Sequence, residues 1–165
     1  MGAAAAGAET IVAVDRLDDK LAFARDLGAT HTFNADDNDL VAKVKEATRG
    51  GVEAAFEFAG SARALEASYM MTRRGGTTVT AGLPNPKAML SLPAVTLTAE
   101  ERTLRGSYLG SGVPARDILR FLALHRRGKM PVEKLLTRRI TLDEINEGFD
   151  RLADGAAIRQ IVTFG

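Results

Sequence analysis

The chain has 165 residues, no cysteine, 45% hydrophobic residues and a formal net charge of +1. That is enough chain for one domain, or one domain plus an appendage, with its own core. Disulfides and thiolate-bound metal are excluded, and the near-zero charge offers no electrostatic footing for nucleic acid or an anionic membrane. No apolar run approaches the ~20 residues that span a bilayer, and the Ala-rich start lacks the basic n-region of a signal peptide. A cytoplasmic location is therefore expected.

Taken in order, Thr10 to Asp15 is a β-branched apolar run that predicts a buried parallel strand. Leu17, Leu21, Ala24 and Leu27 recur at helical spacing, and Gly28 supplies a stop. Thr30 to Phe33 predicts a short strand, and Leu40, Val41, Val44 and Ala47 a helix closed by Gly50-Gly51. Val52 to Phe58 predicts a strand followed by Gly60. A helix through Leu65, Tyr69 and Met70 is expected to end at Gly75-Gly76, and Thr77 to Ala81 to form a strand entering Gly82-Leu83-Pro84. Met89 to Leu92 predicts a short extra strand, and Thr103 to Leu109 a further one. Pro114 suits the first turn of a helix through Ile118, Phe121, Leu122 and His125. Thr141 to Glu144 reads as a capping box ahead of a stripe of Leu142, Ile145, Phe149 and Leu152. Ile158 to Phe164 predicts a last strand. Strands alternating with helices across short connections imply an α/β fold with a parallel sheet.

Few residues invite chemistry. Asp15 closes the first strand, where an acidic residue of a dinucleotide fold accepts the hydroxyls of an adenosine ribose and repels a 2′-phosphate. It equally suits a cap for the helix that follows. Arg16 beside it is a residue type that pairs with a 2′-phosphate, and Lys20 lies one turn into the helix. Gly60 and Gly82 each follow a strand's carboxyl end, where ligands of open α/β sheets bind. On pattern alone their plainer reading is as turns between strand and helix. His31 and His125 are isolated, so no metal site is expected.

From about residue 7 onward the sequence resembles the C-terminal half of the medium-chain, zinc-type alcohol dehydrogenases. The resemblance is carried in order by Ala6-Gly7-Ala8 with Ile11 to Asp15, by Lys20 to Ala24 with Leu27 to Thr30, and by Phe56 to Gly60. It continues through Gly75-Gly76, Ala81 to Pro84, Arg105 to Gly110 and Ile145 to Leu152, and ends with Gly155 and Ile158 to Val162.

The resemblance implies an incomplete, Rossmann-like doubly wound sheet over 1–111, lacking its first strand and glycine-rich loop. It implies a segment over 112–165 that in the family completes the catalytic domain. It implies NAD in preference to NADP, and no zinc bound by this chain. Asp15 and Lys20 would hold the ribose. Ala59 and Gly60 would line the cofactor cleft, with Gly82 in the turn opposite. Backbone groups of Ala81, Leu83 and Leu109 would face the nicotinamide end, and Arg159 would neutralise the pyrophosphate. The family's catalytic domain, with its zinc ligands and proton relay, has no counterpart here. The expectation is hydride-transfer ancestry without turnover by this chain alone. A non-catalytic dimerisation or interaction module derived from the same fold is the alternative. In a 3-2-1-4-5-6 sheet the missing strand is central, so its two neighbours are left with unpaired edges. Those edges, with Met89 to Leu92, are expected to support a homo-oligomer.

Overall fold

The computed structural model describes residues 1–164. A short helix, α1 (Gly2–Ala5), precedes strand β1 (Val12–Asp15). Helix α2 (Asp18–Asp26) then returns the chain to β2 (His31–Asn34), which pairs parallel to β1 with Asp15 opposite Asn34. Helix α3 (Leu40–Ala47) leads to β3 (Val52–Glu57), and α4 (Ala62–Met71) to β4 (Thr72–Thr80). The short helix α5 (Val95–Ala99) precedes β5 (Thr103–Gly106). Strands β3, β4 and β5 form a second parallel sheet in that order.

β1 and β3 share no ladder. The pairings β2-β1 and β3-β4-β5 are those of a doubly wound sheet with its first strand left out between them. The two sheets are nevertheless tied together. Leu40 and Val44 of α3 and Met71 of α4 form a buried cluster against which Val12 and Val14 of β1 and Val52 of β3 all pack. Apolar residues from both sheets thus meet under one pair of helices, and hydrophobic burial substitutes for the absent hydrogen bonds.

Helix α4 stops earlier than its apolar spacing predicts. Strand β4 begins at Thr72 and runs through the Gly75-Gly76 pair. Its register on β3 jumps from Val52 opposite Thr72 to Ala54 opposite Thr77. The residues between form an excursion that folds Thr72 back onto Thr78, where the two buried hydroxyls bond at 2.8 Å. The strand expected over Met89 to Leu92 does not form. Pro84, Pro86 and Pro93 crowd the segment, and the Ser91 N–H donates to the Glu66 carboxylate instead of a ladder.

After a 3-10 turn over Leu109–Ser111 comes α6 (Pro114–Arg126), with Pro114 at its first position and no buried residue. Strands β6 (Leu136–Ile140) and β7 (Arg159–Val162) make a third parallel pair, connected through α7 (Ile145–Ala153). The capping box is half made. The Glu144 carboxylate accepts from the Thr141 N–H at 2.8 Å, whereas the Glu144 N–H goes to the Thr141 carbonyl. No helix among the described residues is long and apolar enough to cross a membrane.

Candidate functional site

Because every pairing is parallel, the strand ends gather along carboxyl edges, and most of the sequence-predicted positions, though not Lys20 or Arg159, fall there. Glu57 of β3 stands opposite Thr80 of β4, and Thr80 opposite Gly106 of β5. Ala59-Gly60, Ala81-Gly82-Leu83 and the Ser107 to Leu109 stretch therefore follow one edge of the second sheet. Asp15 ends β1 on the corresponding edge of the first. In open α/β sheets this is the side on which ligands sit.

Asp15 is engaged through one of its two carboxylate oxygens. Its Oδ1 accepts the Leu17 N–H at 3.0 Å, an Asx turn that launches α2. Among the described residues no hydrogen bond reaches Oδ2, so one carboxylate oxygen remains free to accept from a ribose. Arg16 turns to Asp36, its Nε 3.2 Å from Oδ2. Lys20 points elsewhere. A Cβ at Gly155 would stand 3.3 Å from its Nζ, and Lys20 lines an open groove of ≈ 360 Å³ with Phe23, Leu135 and Ile158. The structure thus directs Lys20 toward the C-terminal segment rather than pairing it with Asp15.

Gly60 and Gly82 are demanded by each other. Gly60 adopts φ +66°, and a Cβ there would lie 2.7 Å from the Leu83 carbonyl oxygen. A Cβ at Gly82 would lie 2.2 Å from the Gly60 nitrogen. The turns after β3 and β4 touch backbone to backbone, which only glycine permits. This close packing explains both residues before any ligand is considered.

The residue that organises this edge is Glu57, to which sequence reasoning gave no role. It is buried, and its carboxylate accepts from the Gly60 N–H at 2.7 Å and the Thr80 hydroxyl at 2.8 Å. It staples the β3 turn to the end of β4. Its signal was an acid between Phe56 and Phe58 in an apolar strand, because a buried carboxylate must be hydrogen-bonded.

Ala59 and Leu83 are exposed, and Ala81 is half-buried. Leu109 does not extend β5. The strand ends at Gly106, and Leu109, Gly110 and Ser111 all take left-handed backbone at φ +48°, +73° and +50°. Such conformations cost non-glycine residues and concentrate at functional sites. Arg159 opens β7 opposite Leu136, on a sheet separate from those carrying Asp15 and Gly60. His31 Nδ1 meets the Thr30 hydroxyl, and His125 Nδ1 meets the Met130 carbonyl and Glu133. Among the described residues no group of three or more His, Cys, Asp or Glu is placed to hold a metal ion.

Comparison with known proteins agrees with this architecture. The family model described as zinc-binding dehydrogenase matches residues 1–124. The chain is 38% identical to an NDMA-dependent alcohol dehydrogenase of Amycolatopsis methanolica, over 98% of this chain and 44% of that protein. It is 34% identical to a geraniol dehydrogenase of Castellaniella defragrans, over 99% and 44% respectively. The crystal structure of benzyl alcohol dehydrogenase from Acinetobacter calcoaceticus superposes with a TM-score of 0.92 at 31% identity, over 96% of this chain and 44% of that one. The chain thus spans less than half the length of the relatives it matches. Strand order, carboxyl-edge turns and sequence agree, and the chain belongs to the zinc-binding dehydrogenase family.

Proposed function

We propose that this chain is the nucleotide-binding and C-terminal portion of an NAD-dependent zinc-type alcohol dehydrogenase, and that alone it binds NAD weakly and does not turn over. The lineage's reaction is hydride transfer between an alcohol or aldehyde and NAD. The observation that carries the reading is the free Oδ2 of Asp15 at the carboxyl end of β1, on a sheet whose pairings follow the doubly wound order.

When bound, NAD supplies the nicotinamide carbon that accepts or gives the hydride. This chain's part is binding and orientation. Asp15 accepts from the ribose, and the Gly60 and Gly82-Leu83 turns, locked by Glu57, present backbone along the cleft. Leu109 offers backbone groups from a strained turn, and Arg159 brings positive charge for the pyrophosphate. The helix N-terminus that cradles a pyrophosphate in such folds belongs to the first strand-helix unit. Among the described residues no strand pairs between β1 and β3, which supports weak binding and no turnover. A cytoplasmic location is part of the same proposal.

Calorimetric titration of the chain with NADH tests the reading. Saturable binding near or below roughly 100 μM, weakened by Asp15→Ala, is the expected result. Absence of saturable binding, or identical affinity in the Asp15→Ala variant, overturns it.

The unpaired edges of β1 and β3 and the exposed Phe56 and Phe58 favour a second reading, in which the chain is a non-catalytic homo-oligomerising module. The NADH titration separates the two, and light scattering at micromolar concentration tests the second, which requires a dimer or larger species and no NADH binding.

A further inference from the structure

We infer that Asp36 sets which dinucleotide this edge accepts: by engaging Arg16 it keeps the site for an unphosphorylated adenosine ribose and closes it to a 2′-phosphate. The inference rests on the proposed NAD site and concerns its selectivity.

Dinucleotide folds read the 2′ position at the end of the second strand, where a carboxylate takes the ribose hydroxyls and a nearby Arg takes a 2′-phosphate. Here the chain places both residue types side by side, Asp15 and Arg16, so residue identity alone gives two opposite answers.

The structure decides through a third residue. Arg16 Nε donates to Asp36 Oδ2 at 3.2 Å. Asp36 is held in place by the backbone beneath it. The Ala35 N–H donates to the Asp15 carbonyl at 2.9 Å, extending the β1-β2 ladder one step beyond the strands. The Asn34 side chain then ties the two turns together. Its Nδ2 donates to the Arg16 carbonyl at 3.2 Å and to Asp18 Oδ1 at 3.0 Å, and its Oδ1 accepts the Asp36 N–H at 2.9 Å. Asn34 thus fixes the Arg16 and Asp36 backbones relative to each other, and the ion pair follows from that placement.

A phosphomonoester carries nearly two negative charges at neutral pH. At Arg16 it meets a guanidinium whose Nε is already taken by Asp36, and it would lie among the carboxylates of Asp15 and Asp36 with that one guanidinium to share. The pair itself is solvent-exposed and weak. The discrimination therefore comes mainly from the like charge that remains beside the phosphate. A neutral ribose pays neither cost.

The test is paired titration of wild type, Asp36→Asn, Arg16→Ala and the double variant with NADH and NADPH, with far-UV circular dichroism to verify folding. Both residues are on the surface, so the fold is expected to survive. The expected result is a ratio of NADPH to NADH affinity that rises by about tenfold in Asp36→Asn, shrinks with added salt, and returns to the wild-type value when Arg16→Ala is added. An unchanged ratio in Asp36→Asn while NADH still binds overturns this inference and leaves the NAD site standing. So does a gain that persists in the double variant. Failure of all four proteins to bind either dinucleotide overturns the NAD site and the selectivity together.

Discussion

Residues 1–111 and 112–164 are built from similar residue types and bury them very differently. In the first stretch Tyr69, Val44, Thr72 and Thr78 are fully enclosed. Tyr69 bonds the Thr96 hydroxyl at 2.7 Å and lies beneath the Arg102 guanidinium, itself buried and paired with Glu100. In the second stretch the buried side chains are few, Ile140 and Ala157 among them, while Ile118, Leu119, Phe121 and Phe149 stand more than half exposed. Both α6 and α7 are amphipathic, but only one stretch encloses what its helices offer. Helix α6 carries an apolar stripe and no buried residue. The comparison teaches that the first stretch buries much of its own apolar surface, whereas the second leaves the apolar faces of its helices open.

The largest expected effect contrasts one aromatic from each stretch. Tyr69→Ala removes a fully buried ring together with its hydroxyl bond, and should cost about 3–5 kcal/mol. Phe121→Ala, on the open face of α6, should stay within about 0.5 kcal/mol. Urea unfolding of both variants measures the difference. Comparable losses would break the comparison, because they would mean that α6 is covered in solution by another copy of the chain.

A smaller contrast uses two glycines. At Gly82 a Cβ would meet the Gly60 backbone at 2.2 Å, whereas at Gly148 it would meet the tip of the Ile140 side chain at 2.8 Å. Backbone cannot yield cheaply, and a side-chain tip can. Gly82→Ala should therefore cost about 1–3 kcal/mol or more. For Gly148→Ala, the gain of about 1 kcal/mol in helix propensity largely offsets the strain. Thermal melts of the two variants should separate clearly. Equal melting temperatures would mean that the β3 and β4 turns are looser than their geometry implies.

These contrasts also mark what was legible in the sequence. Strand-helix alternation was, because β-branched runs and glycine stops are local signals, and the positions of β1, α3, β3, α6 and β7 follow from them. The excursion at Arg73 to Gly76 was not, since it depends on Thr72 meeting Thr78 across six residues. Met89 to Leu92 misled because β propensity there is overridden by three flanking prolines. At the candidate site the order of Asp15, Gly60 and Gly82 along the edge was readable from spacing. The engagement of Arg16 by Asp36, the mutual packing of the two glycines and the role of Glu57 were not. Each depends on a residue 20 to 23 positions away, brought near by the sheet.

The smallest effect concerns how the start of α6 is held. Asp117 reaches back along α6, its Oδ2 accepting the Val113 N–H at 2.8 Å, and Arg116 binds both of its oxygens. The Arg116 hydrogen bond first, and the Val113 N–H second, hold the carboxyl down to about 2. A folded-state pKa below the unfolded value of about 3.9 stabilises the folded form at higher pH. The contribution is complete above about pH 4 and disappears as pH falls through about 2. Asp117→Asn removes this dependence, because the amide does not titrate. Helicity followed by circular dichroism should show an acid loss in that window for wild type that is diminished in Asp117→Asn. The remaining acid response belongs to other carboxylates, including Asp37 and Glu144, whose pKa values are also lowered. If the two proteins titrate identically, the first turn of α6 is not held by Asp117. The exposed helix would then owe its form to whatever covers Ile118 and Phe121, since no side chain of its own helix would be fixing its start.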